Sequence, residues 1–142
     1  MRISQLSLTH YDEVRYNSLR YMNPRFTPRD VERALPLAPA VFQILIALGD
    51  GERHGYAVMQ DVAARTGGRV RMSPGTLYGS IRKMLDDGLI EELAERPAEG
   101  DDERRRYYRV TKFGRVVAAA EADRYATLIQ QARSTGLVPK RS

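Results

Sequence analysis

The chain contains no cysteine and only two histidines in 142 residues. Without cysteine it can build neither a disulfide framework nor a thiolate metal site. His10 and His54 stand far apart, so a zinc or iron centre would rest almost wholly on carboxylates, which those metals do not favour. No stretch reaches the 18 consecutive apolar residues of a membrane-spanning helix, and the N-terminus lacks the charged-then-apolar layout of a secretory signal. Nor does a nucleophile–base pair emerge, since His54 has no evident carboxylate partner. The expectation is a cytoplasmic protein with no cofactor, no metal, no membrane association and no catalytic residues.

What the chain does have is a globular composition, 42% hydrophobic and 29% charged, in a length that suits one domain with a modest core. Its net charge of +5 permits a polyanionic partner without demanding one. The distribution says more. Residues 69–87 carry three Arg and one Lys against two acids, residues 88–110 five Arg against seven acids, and residues 111–142 six basic residues against two acids. The excess is local.

Residues 1–35 read as an N-terminal extension. "THYDEVRYNSLRYMNPRF" is rich in Tyr and Arg with weak periodicity, and fits either a flexible tail or a segment packed on a partner subunit. "TPRDVERAL" offers Thr27 as N-cap, Pro28 at the first helical position and Asp30 in the first turn, hence a short helix. "LAPAVFQILIALGDG" (37–51) is apolar nearly all round from Val41 to Leu48, so its helix is expected to be buried on several sides, partly by another chain. "HGYAVMQDVAARTGG" reads as the next helix, with Val58, Val62 and Ala63 near one face and Gly67-Gly68 as its stop.

"RVRMSPGTLYGSIRKML" (69–85) holds four cations and no carboxylate. Ser73 is its N-cap and Pro74 its first helical residue. At 100° per residue Leu77, Ile81, Met84 and Leu85 form the buried stripe, opposite Gly75, Thr76, Gly79, Arg82 and Lys83, with Tyr78 on the border. Two glycines under a positive face give up helix propensity where close approach to a large partner would need room. After Gly88 the period changes. "LIEELAER" and "RRRYYRVT" read as strands around the turn residues "PAEGDDE", a β-hairpin with a long loop. In that alternation Arg104 and Arg106 share a face with Tyr108, and Arg105 shares the other with Tyr107. The last segment, "TKFGRVVAAAEADRYATLIQQARS", reads as a long helix with Thr111 as cap, Gly136 as stop, and a stripe of Val116, Val117, Ala120, Leu128, Ile129 and Ala132.

Three short helices followed by a two-stranded hairpin is the layout of a winged helix-turn-helix, whose pre-hairpin helix enters the DNA major groove. The predicted fold class is mainly α (α+β), a winged helix-turn-helix with a C-terminal dimerisation helix. Its parts are an extension over 1–35, a DNA-binding domain over 36–110, a dimerisation helix over 111–136 and a tail over 137–142.

"ILIALGDGERHGYAVMQDVAARTG", "SPGTLYGSIRKMLDDGLIEE" and "RRRYYRVTKFGR", in that order, resemble the PadR family of bacterial transcriptional regulators, over about Leu37 to Leu128. The resemblance implies a nucleoid-associated homodimer that represses transcription from a palindromic operator in double-stranded DNA and is released by a small-molecule effector. It places Thr76, Tyr78 and Lys83 on DNA, with His54 and Tyr56 near the backbone and Arg105 and Arg106 of the wing on or beside it. Ser73, Gly75, Gly79 and Arg82 join them through the reading of the helix face. The extension is longer, and the single last helix shorter, than the family pattern. Blander readings stand beside these: a capping His54, a half-buried Tyr78, and a wing whose arginines pair with Asp101, Asp102 and Glu103. The rival function is a winged-helix protein–protein interaction module without sequence-specific DNA binding.

Overall fold

The computed structural model describes residues 26–93 and 106–140. The order is α1 (Pro28–Ala34), α2 (Pro39–Ala47), β1 (Arg53–His54), α3 (Gly55–Arg65), α4 (Pro74–Asp86), β2 (Ile90–Glu92), β3 (Tyr107–Val110) and α5 (Lys112–Ser134). This is a mainly helical winged helix with a small antiparallel sheet. Residues 1–25 and the wing segment with Arg104 and Arg105 lie outside the described residues.

Local chemistry sets the helix starts. Thr27 and Asp30 form a reciprocal cap on α1, the Asp30 carboxylate accepting the Thr27 N–H at 2.6 Å. That bond, seconded by the Thr27 hydroxyl, holds the Asp30 carboxyl below its usual range. α3 ends where Gly67 and Gly68 take positive φ, a conformation open to residues without Cβ. The sequence window for α2 began at residue 37, but the helix starts at Pro39. Its Val41, Ile44, Leu45 and Ala47 are buried while Ile46 stays exposed, so burial is broad but not complete.

Pairing in the sheet runs β1-β3-β2. β2 and β3 form the expected hairpin, with Ile90 opposite Val110 and Glu91 opposite Arg109. β1, two residues long, was not expected; it pairs Arg53 with Tyr108 and His54 with Tyr107. That third strand explains why simple alternation fails in β3. Tyr107 and Tyr108 are both buried, at 8% and 4% exposure, because the sheet is covered on both faces there. The His54 ring meets Tyr107 edge-on at 5.5 Å, and Tyr108 joins the main core.

α5 is fixed at its start by backbone contact. Thr111 caps it, accepting the Gly114 N–H at 3.0 Å, and its hydroxyl donates to the Gly88 carbonyl at 2.6 Å. A Cβ on Gly114 would stand 2.0 Å from the Leu89 carbonyl oxygen, so only glycine lets the helix seat. Further along, Val116 and Val117 enter the core, and the fully buried Glu121 accepts the Leu37 N–H at 2.5 Å and a hydrogen bond from Arg124 Nε. Beyond Glu121 the apolar side chains Tyr125, Leu128 and Ile129 are exposed. Gly136, at φ +77°, follows the end of the helix.

Because the Leu89 carbonyl belongs to backbone and cannot swing aside, Gly114→Ala is expected to destabilise the fold by about 3 kcal/mol or more. Urea unfolding followed by circular dichroism checks this, and a midpoint equal to that of the parent would refute the contact.

Candidate nucleic-acid interface

α4 begins where the sequence expects it. The Ser73 hydroxyl oxygen accepts the Thr76 N–H at 3.1 Å, and Pro74 fills the first position without wasting a donor. Leu77, Ile81 and Met84 are buried against the core and Leu85 is half-buried. Their burial turns Gly75, Thr76, Gly79, Arg82 and Lys83 to the surface, where all five are exposed. Tyr78 is 54% exposed at the margin.

The two glycines on this face have no internal reason. Among the described residues nothing lies within 4 Å of where a Gly79 Cβ would stand, and Gly75 would meet only the Ser73 hydroxyl at 3.9 Å. Neither has a positive φ. Their absent side chains therefore serve neither packing nor backbone conformation.

Charges on the face differ in how far they are committed. Lys83 pairs with Asp87 at 3.2 Å, both exposed. Such pairs contribute about 0–1 kcal/mol, so this one is readily exchanged. Arg82 forms no ion pair among the described residues. The wing is more compensated: Arg109 binds Glu91 at 2.6 Å and lies 3.9 Å from Glu52, while Arg106 lies 3.5 Å from Glu92. Arg105 falls outside the described residues. Among the described residues Arg82 of α4 is thus without an ion pair, while Arg106 and Arg109 at the base of the wing are paired.

His54 serves as the N-cap of α3, its Nδ1 accepting the Ala57 N–H at 3.1 Å. The capping reading is thus what the structure holds. Tyr56, the second residue of the same helix, is exposed. The sequence reading missed the network that fixes this corner. Arg53 donates to the Ala47 carbonyl at 2.9 Å and pairs with Asp50 at 3.3 Å, while Arg65 binds Asp61 at 2.6 Å and Asp50 at 3.4 Å. The Asp61–Arg65 spacing of four is the one sequence signal that could have shown it. Arg53 in particular holds the Asp50 carboxyl below its usual range.

A cavity of about 1240 Å³ opens beside the C-terminal end of α4, between α1, α4 and the start of α5. Phe26, Val41 and Phe113 line it along with Met84 and Lys83 of α4 and Lys112 of α5. Among the described residues no cluster of His, Asp or Glu is placed to hold a metal, and no helix is long and apolar enough to cross a membrane.

Residues 44–120 match the model of the transcriptional regulator PadR-like family. A transcriptional regulator of Mycobacterium tuberculosis is 38% identical over 94 residues, 66% of this chain and 80% of its own length. The chain spans only 22% of an uncharacterised transposon protein of Streptomyces fradiae, at 33% identity, and 64% of a Lysinibacillus sphaericus protein, at 28%. Among solved structures, a PadR family transcription regulator of Clostridium difficile superposes with a TM-score of 0.57 at 20% identity, covering 71% of this chain and all of that one. Bacillus subtilis PadR in complex with operator DNA gives 0.51 at 18% identity, covering 71% of this chain and 64% of that one. At these identities both establish the winged-helix fold.

Since Gly79 faces open space in a helix interior, Gly79→Ala is expected to stabilise the free protein by about 0.5–1 kcal/mol. Thermal melting without any ligand checks this. A lower melting temperature would mean that an internal contact holds the glycine in place.

Proposed function

Because this chain belongs to the transcriptional regulator PadR-like family, we propose that it is a homodimeric DNA-binding repressor that reads a palindromic operator with the exposed face of α4. The family is one of regulators and not of enzymes. The observation that carries the DNA reading is the α4 face itself, positive, without an ion pair at Arg82 among the described residues, and cleared by two glycines that the packing of those residues does not require.

In this reading Arg82, Lys83 and Tyr78 hold phosphates and set affinity, while Thr76 approaches base edges and sets specificity. Ser73 and Gly75 bring the leading amides of α4 to a phosphate, where the positive end of the helix dipole adds attraction. His54 and Tyr56 lie near the backbone through the first turn of α3, and Arg105 and Arg106 reach it from the wing. Lys83 gives up its exposed pair with Asp87 on binding, a small cost against a phosphate contact.

Support for a homodimer comes from α5. Leu128 and Ile129 are 47% and 46% exposed on the outer half of a helix whose inner half is core. Tyr125 next to them stacks on Phe42 at 5.5 Å, extending the apolar strip onto α2. A second copy covering this strip sets two α4 helices about one or two turns of DNA apart. The cavity beside α4 supports an effector: its walls include Met84 of α4 and Phe113 of α5, so a ligand bound there bears on both helices. An effector favouring one dimer arrangement would change the α4 spacing and release DNA.

The ion-paired wing favours the rival reading, a protein-interaction module, at that one place. A gel shift with the DNA upstream of the chain's own reading frame, run across a salt series, separates the two. Steeply salt-dependent binding is expected, and Lys83→Ala should weaken it on all sequences and flatten the log–log salt slope by about one unit. Unchanged binding by that variant at low and high salt would remove Lys83 from the interface. Sedimentation equilibrium should give a dimer for the parent and a monomer for Leu128→Asp/Ile129→Asp. A monomeric parent would overturn the dimer.

A further inference from the structure

Four helical glycines stand among the described residues, and they divide in two. Among the described residues little or nothing stands near Gly75 and Gly79; at Gly114 a side chain would collide with backbone, and at Gly55 it would meet a tight neighbour. Gly114 makes room for backbone. Gly55, the first residue of α3, makes room for a side chain: a Cβ there would stand 3.1 Å from Tyr78 Cε1, 3.2 Å from the Tyr78 hydroxyl oxygen and 3.4 Å from Leu77 Cδ2. The Tyr78 ring therefore lies across the first turn of α3 instead of projecting freely from α4.

The Tyr108 hydroxyl of β3 is pushed above the usual phenol range by its burial first and then by Glu92, against Arg106, with a smaller push in the same direction from the Tyr78 phenol. Tyr78 thus sits where the start of α3 meets α4, with more than half of its surface open to solvent. Leu77 on the same turn is fully buried, so the backbone that carries Tyr78 cannot drift. Only the ring's own rotation is then left to fix.

We propose that Gly55 is a positioning residue for Tyr78: its missing side chain is the seat that holds the phenol against the N-terminal turn of α3, aimed at a DNA phosphate before DNA arrives. This rests on the DNA reading of α4. A side chain already held in its bound arrangement loses less freedom on association, which raises affinity without adding a contact. The obstruction created by Gly55→Ala falls mainly on the ring of Tyr78, the far end of a side chain that can swing out. Alanine is moreover a better helix former than glycine. The substitution therefore acts on where Tyr78 points more than on whether α3 forms.

A double-mutant cycle tests this, using fluorescence anisotropy on the duplex upstream of the chain's own reading frame, with thermal melting alongside. Gly55→Ala is expected to weaken binding about tenfold in the parent. In a Tyr78→Ala background, itself weakened about tenfold, the same change should have no further effect. Equal losses in both backgrounds, or no loss in the parent, overturn the positioning role while leaving Tyr78 as a contact. If Tyr78→Ala binds as well as the parent, the placement of Tyr78 on DNA fails first and the seat has no function. Should Gly55→Ala alone melt too low to assay, the double variant is compared with Tyr78→Ala: equal affinity supports the seat and a further loss refutes it.

Discussion

The whole arrangement turns on how closely α5 approaches the carbonyl of Leu89. That oxygen accepts the Thr111 N–H at 3.1 Å, with Gly114 packed so near that no side chain could intervene. Gly88, at φ +74°, reverses the chain just before it, and its carbonyl takes the Thr111 hydroxyl. Within a few residues the end of α4, the first wing strand and the start of α5 are tied into one knot. Backbone-to-backbone ties of this kind have two arrangements, made or broken, and little in between. The end of α4 is thus held to the start of α5 through the loop at Gly88 and Leu89, while α4 itself packs against α2, α3 and β2.

Glu121 makes the second tie and divides α5 in two. A buried carboxylate is expensive unless it is hydrogen-bonded and paired, and this one is both, through the Leu37 N–H and Arg124. Leu37 lies in the turn between α1 and α2, so the bond joins the start of the described chain to its last helix. Up to Glu121 the helix is core, with Val116 and Val117 inside. Past it the apolar residues face outward, and Arg124 lies over the Tyr125 ring at 5.2 Å. In the proposed dimer the same rigid helix serves as inner wall of one subunit and as half of the interface, so a shift between subunits is carried to the knot at Leu89 without bending anything.

Much of this was legible in the sequence because it is local. Thr27, Ser73 and Thr111 cap helices within three residues of themselves, Gly67-Gly68 stops one, and the period of 3.6 separates Leu77, Ile81 and Met84 from Gly75 and Gly79. What could not be read depends on partners far along the chain. β1 has two residues and no period to detect, and its pairing with β3 is what buries Tyr107 alongside Tyr108. Glu121 would be placed by pattern on a polar face; its acceptor role exists only once Leu37 is beside it. The Gly114 and Gly55 vacancies are equally invisible, since a glycine in a sequence does not say what stands where its side chain would be. The α4 face was legible as chemistry, and the spacing of four between Lys83 and Asp87 marks their pair, whereas the Glu92 partner of Arg106 needed coordinates.

Magnitudes bear on why the α4 glycines matter more than the α4 charges. A glycine in a helix interior, as Gly79 is, costs roughly 0.5–1 kcal/mol relative to alanine, a noticeable share of the about 5–15 kcal/mol that holds a domain folded, while Gly75 in the first turn costs less. At Gly114 a backbone oxygen stands where a side chain would go, and at Gly55 the Tyr78 ring leaves only tight room for one. At Gly75 and Gly79 nothing within the described chain stands so close. The exposed cations are no such anomaly, since lone surface charges are common and their pairs weak. A cost with no internal return, on the surface of the helix that the whole fold holds rigid, points outward. It is the shape of the α4 face, more than its charge, that calls for a partner pressed against the helix backbone.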